Sequence, residues 1–141
     1  MLLTGFPLGS PKIRLRIGHS HCQFSMTLTT FEAALMLHLI GDWLLQNEWM
    51  AVNKLRLSHV AAWIHGSIHG VLLGLILGWV GGVTLALLHI LVDTRVPVWW
   101  LIKHFKKCER SPDLPILLIG CDQVLHIGCI AVWIVLASRW Q

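Results

Sequence analysis

Four apolar stretches, each about as long as a lipid bilayer is thick, leave this chain few ways to fold. They run from about Thr30 to Met50, from His59 to Val80, from just after Gly81-Gly82 to Ile102, and from Leu114 to Ala137. A helix needs about 20 apolar residues to cross a ~30 Å hydrocarbon core, and each stretch is near that length. The first is the least apolar, because His38, Asp42 and Gln46 interrupt it. Gly81-Gly82 is a turn signal and predicts a tight antiparallel hairpin of the second and third helices. The expected fold is all-α, an integral membrane four-helix bundle. Composition agrees: 55% of residues are hydrophobic and only 13% charged, against about 25% charged in soluble domains. Eight Trp and no Tyr fit an interfacial belt, with Trp49, Trp79, Trp99, Trp100 and Trp140 near the expected helix ends.

Residues 1–25 stand apart as an N-terminal tail. They hold Pro7, Pro11, Lys12, Arg14 and Arg16 and no spanning run, and the basic residues follow the first apolar ones, which is the wrong order for a signal peptide. The expectation is a disordered tail or an over-long gene start, with Met26 the initiator and 26–141 the four-helix domain. The net charge of +4 does not indicate nucleic acid, because no basic helix or stripe carries it. Lys and Arg instead mark topology. Lys54 and Arg56 lie in one loop, Lys103, Lys106, Lys107 and Arg110 in another, and Arg95 nearby. The positive-inside rule then makes 46–58 and 103–113 cytoplasmic, against Arg139 on the opposite side, joined there by Lys12, Arg14 and Arg16 unless the chain starts at Met26. Cys22, Cys108, Cys121 and Cys129 form no CxxC pair and define no disulfide framework.

The apolar stretches carry four polar pairs, one each: His38 and Asp42, His65 and His69, His89 and Asp93, Asp122 and His126. Spacing of i, i+4 puts both members on one helix face. All lie at a similar distance from the expected cytoplasmic side, so a bundle gathers five His and three Asp at one level. An Asp at mid-bilayer costs roughly 2.5–3.5 kcal/mol, whereas interhelical hydrogen bonds average about 0.6 kcal/mol. A structural network alone does not offset that cost, and a functional site is the better reading. Leu37–Asp42 also resembles Leu88–Asp93, a hint of a duplicated two-helix unit. Ala62, Gly66, Gly70, Gly74 and Gly78 form a small-residue face for close helix packing. Pro97 removes a backbone donor and is expected to kink or end the third helix.

His38-x3-Asp42-Trp43-x2-Gln46, His65-x3-His69, His89-x3-Asp93 and Asp122-Gln123-x2-His126, in this order, resemble a family of small bacterial and phage membrane proteins, the domain of unknown function DUF3307. The resemblance covers about residues 27–138 and implies a multi-pass protein of the bacterial inner membrane. More loosely, the pattern is similar to that of membrane-bound metal-dependent hydrolases. Thr94 and Arg95 depart from the family, whose members often carry a Lys nearby.

The leading functional reading is a divalent transition metal, Zn, Mn or Fe, as one or two ions, held by His38, Asp42, His65, His69, His89, Asp93, Asp122 and His126. His65 and His69 are the expected anchors, since two imidazoles one turn apart can share an ion. Asp42, Asp93 and Asp122 serve as ligands or as a proton acceptor, and Gln46 and Gln123 as substrate-orienting groups. That makes Asp42, Asp93, Asp122 and Gln123 the catalytic candidates of a hydrolase acting on a lipid-linked or amphiphilic substrate. A proton- or ion-coupled transporter, which four short helices would need a homo-oligomer to build, is the alternative. A non-catalytic membrane scaffold is another. Haem is disfavoured, because it wants apolar neighbours where this chain has Asp.

Overall fold

The computed structural model of the protein describes residues 12–13 and 26–139. The expectations for the rest of the tail and for Trp140 lie outside the described residues. Apart from a two-residue antiparallel pairing, β1 (Lys12–Ile13) with β2 (Met26–Thr27), the described chain is helical.

Helix α1 (Thr30–Ile40) starts where the Thr run meets Phe31. Thr29 accepts from the Glu32 backbone N–H at 3.2 Å, and Glu32 Oε2 accepts from the Thr29 backbone N–H at 2.7 Å. This reciprocal cap satisfies two donors that a helix start leaves free. The helix continues into a wide π-type turn, Gly41–Leu45, and stops when Gln46 turns extended at ψ 121°. The first apolar stretch is therefore not one helix from Thr30 to Met50. Asn47 caps a separate short helix, α2 (Glu48–Asn53), through a 2.9 Å bond from the Met50 N–H.

Helix α3 (Val60–Asp93) reverses on itself at Gly78, whose φ of 75° and ψ of 167° interrupt the helix. That backbone region is essentially closed to side-chain-bearing residues. The expected hairpin exists, but its turn is Gly78 rather than Gly81-Gly82. Gly81 and Gly82 lie in the second arm and serve packing instead. A Cβ on Gly82 would come within 2.5 Å of the Gly70 carbonyl and 2.8 Å of Gly74 Cα. Gly66 faces Ile90 and Gly70 faces Ala86, so contacts are symmetric about the turn. The small-residue face closes the hairpin on itself.

The second arm ends at Asp93, well short of Ile102. Arg95 adopts a left-handed φ of 61° and starts a new helix, α4 (Val96–Leu101), which runs into a second π-type turn, Ile102–Lys106. Pro97 stands in the first turn of α4, where its missing N–H costs nothing. It does not kink α3, which has already ended at Asp93. Helix α5 (Leu114–Ala137) occupies the expected fourth stretch, with Pro115 in its first turn.

Helix α5 is long and apolar enough to cross a membrane, and α3 is as apolar although Gly78 divides its length into two arms, which suggests membrane association. The interior has two apolar clusters. One, around Ala34, Leu73, Leu85 and Ile130, lies toward the Gly78 end. The other, around Val92, Val98, Ile102 and Cys121, lies toward the end that carries α2 and α4. Between them sits a polar layer.

Candidate metal centre

Seven of the eight residues of the i, i+4 pairs are buried together in that layer. His38, His65, His69, His89, His126 and Asp93 are each at most 3% exposed, and Asp42 is 8%. Each pair projects from one helix face, and α1, both arms of α3 and α5 supply one pair apiece. The layer lies nearer the α2 end than the apolar stretches predict. Asp93 is the last residue of α3, and Asp42 falls in the turn that ends the first helix. Both helices thus direct their carboxyl ends, the negative ends of their dipoles, at the site.

Asp42 is the hub. Its Oδ1 lies 3.1 Å from His65 Nε2, 3.2 Å from His69 Nε2, 3.6 Å from His89 Nε2 and 3.9 Å from Lys54 Nζ. His65 and His69 lie within hydrogen-bond distance of Oδ1 and match its two lone-pair sites, while His89 and Lys54 crowd the same oxygen from just beyond that distance. Asp42 Oδ2 accepts a 2.8 Å hydrogen bond from the Gln123 amide and lies 3.4 Å from His38 Nε2, which makes no hydrogen bond. Gln123 therefore orients Asp42. Gln46 has a buried, unpartnered Oε1 and touches none of these ligand atoms by hydrogen bond.

His65 and His89 bring their Nε2 atoms within 3.0 Å. Donor atoms of Asp42, His65, His69 and His89 all fall within 4.8 Å of one another. A tetrahedral ion with Zn–N of about 2.0–2.1 Å has donor–donor edges of about 3.3–3.4 Å, close to the spacings around Asp42 Oδ1. Three imidazole nitrogens and one carboxylate oxygen are a donor set for a borderline divalent metal. Gly41 makes room for it. A Cβ there would stand 2.5 Å from His69 Cε1 and 2.6 Å from its Nε2.

A second group, His89, Asp93 and His126, overlaps the first at His89. Asp93 Oδ2 lies 3.2 Å from His89 Nε2 and 3.4 Å from His65 Nε2, and Oδ1 lies 4.0 Å from His126 Nε2. One Nε2 has one lone pair, so His89 cannot serve two ions through that atom. Asp122 stands outside both groups. Its Oδ2 is 3.7 Å from His126 Nδ1, on the side of that ring away from Asp93. His38 packs its ring 5.1–5.4 Å from those of His69, His89 and His126. It also borders a cavity of about 10 Å3 shared with His89, His126, Leu73 and Ile130, the room of about one water.

Lys54 is the residue that sequence reasoning missed as part of the site. It reads as a topology charge, but its Nζ reaches 2.9 Å from Asp93 Oδ1 and 3.1 Å from His65 Nε2. No sequence signal marks it, since a Lys that follows a short helix reads the same whether it faces water or turns inward.

These features define a class, a predominantly helical protein with long apolar helices and a buried His/Asp cluster able to hold a metal. The chain belongs to the family described as Protein of unknown function (DUF3307), whose family model matches residues 30–141. No curated protein and no solved structure matches it.

Proposed function

We propose that the protein is an integral four-helix membrane protein that holds one divalent transition metal at Asp42, His65, His69 and His89 and uses it to hydrolyse an amphiphilic substrate. The observation that carries the metal reading is the crowding at Asp42 Oδ1, where three imidazole nitrogens stand within 3.1–3.6 Å of one oxygen. The membrane reading is supported by inverted polarity. Trp79, Leu44, Leu75 and Ile116 are 72–80% exposed, while the polar residues are inside. The four helices of the proposed bundle are the helix through 30–45, the two arms of α3 on either side of Gly78, and α5, with the first helix and the second arm shorter than a full crossing. Loops 46–58 and 103–113 lie at the same end, which the Lys and Arg count assigns to the cytoplasm of a bacterial inner membrane.

A divalent ion in this set would act as a Lewis acid toward water, and because four protein ligands fill a tetrahedron, water would enter only at a fifth position or in place of one ligand. The residues around it divide the remaining work. Gln123 fixes the Asp42 carboxylate. Asp93 presents Oδ2 beside His65 and His89 and is placed to accept a proton there. His126 stands next to Asp93 and is held from behind by its Nδ1–H, which donates to the Asp122 backbone carbonyl at 2.9 Å. The site lies near the loop end of the bundle, the level at which an amphiphile places the bond between head group and chain. Zinc-loaded protein in detergent is expected to hydrolyse a chromogenic long-chain ester or phosphodiester. Asp93→Asn should keep the metal and lose about 100-fold or more of the rate, the range of a general base. Absence of zinc-dependent turnover on both probes would overturn the hydrolase reading and leave the metal site standing.

A further inference from the structure

Lys54 poses a problem that hydrogen bonding cannot solve. If its ammonium donates to His65 Nε2 at 3.1 Å, that nitrogen is an acceptor and bears no hydrogen. It then cannot donate to Asp42 Oδ1 at 3.1 Å or to Asp93 Oδ2 at 3.4 Å. Gln123 and His69 still bond Asp42, and His89 lies 3.2 Å from Asp93, but two carboxylates and a bare imidazole nitrogen facing one another repel unless a positive charge stands among them. The ammonium provides it: Nζ lies 2.9 Å from Asp93 Oδ1, 3.9 Å from Asp42 Oδ1 and 3.1 Å from His65, with its side chain 12% exposed.

Resting on the metal reading above, we propose that Lys54 is a tethered cation that takes the place of the metal's charge and is expelled when a divalent ion binds. His65 Nε2 cannot accept from Nζ and ligate a metal at once, because it has one lone pair. Asp42, likewise, cannot draw the ammonium and a divalent ion to the same oxygen without setting the two cations against each other. The chain can withdraw Lys54. It is the residue that ends α2, and Arg56, Leu57 and Ser58 beyond it are exposed. Its four-carbon stem is flexible and its head strongly hydrated. The device keeps the acidic cluster assembled before metal arrives, sets a threshold for loading, and couples loading to movement of the loop after α2.

The test uses full-length protein in mild detergent, stripped with chelator and titrated with Zn2+ by calorimetry. Lys54→Met keeps the stem and removes the charge, and it should bind Zn2+ about tenfold or more tighter than wild type. Lys54→Arg keeps the charge and should not gain. Independently, Zn2+ should speed acetylation of Lys54 by an amine-reactive reagent, read by mass spectrometry, in wild type and not in His69→Ala. Equal or weaker Zn2+ binding by Lys54→Met, or acetylation slowed or unchanged by Zn2+, overturns the exchange while the metal site stands. Zn2+ binding by neither wild type nor Lys54→Met refutes the metal reading and the exchange together.

Discussion

At the scale of residues, the candidate site was legible because its chemistry repeats on a helical period. Eight His and Asp in four i, i+4 pairs have no reason to recur in apolar stretches unless the faces they mark meet. The spacing could not say which oxygen becomes the hub, that Gln123 turns to Asp42, or that Asp122 stands behind His126. Those depend on helix rotation and on side-chain reach across about one helix diameter. Lys54 was illegible for the same reason, since a Lys in a loop looks the same whether it faces water or folds inward. Gly41 is the residue whose role the geometry makes plainest. Gly41→Ala would place a methyl 2.5 Å from His69 Cε1 while raising helix propensity. Zinc titration should show roughly tenfold or greater loss of affinity, with circular dichroism unchanged. Undiminished affinity would mean that His69 is not held against Gly41.

At the scale of elements, the main helices were legible, while the short helices α2 and α4 and the helix ends were not. α5 begins and ends where its apolar run does. The other stretches break, at Gln46, at Gly78 and at Arg95, and none of these is the strongest local punctuation. Gly81-Gly82 outranks Gly78 as a turn signal, yet the doublet is needed where the arms touch, and Gly78 is the centre about which their contacts are symmetric. Gly78→Ala should destabilise the fold by about 1–3 kcal/mol, the cost of forcing a side chain into that backbone region, though a Cβ there meets nothing within 4 Å. Gly120 is equally open and lies inside α5. Gly120→Ala should be neutral or stabilising by up to about 1 kcal/mol. Denaturant titration in detergent separates them, and equal effects would show that the Gly78 backbone is not what limits substitution.

At the scale of the whole molecule, the exposed apolar side chains and the buried polar layer are what support the proposal of a membrane as solvent. Lys54, Arg56, Arg95, Lys103, Lys106, Lys107 and Arg110 belong to the segments at one end of the bundle. The Gly78 turn is at the other. Single cysteines at 56 and 107 in a cysteine-free background should stay unlabelled by an impermeant maleimide in intact cells and react once the cells are opened. Labelling of either in intact cells would reverse the proposed topology. The central claim is that the His/Asp layer is a metal centre, and elemental analysis of protein purified in mild detergent without added metal tests it most directly. About one transition-metal ion per chain is the expected result, lost in both His69→Ala and Asp42→Asn, because a buried ligand set binds metal as part of its folded state. A wild-type protein that carries no metal and takes up none from Zn2+, or variants that keep the full complement, would contradict it.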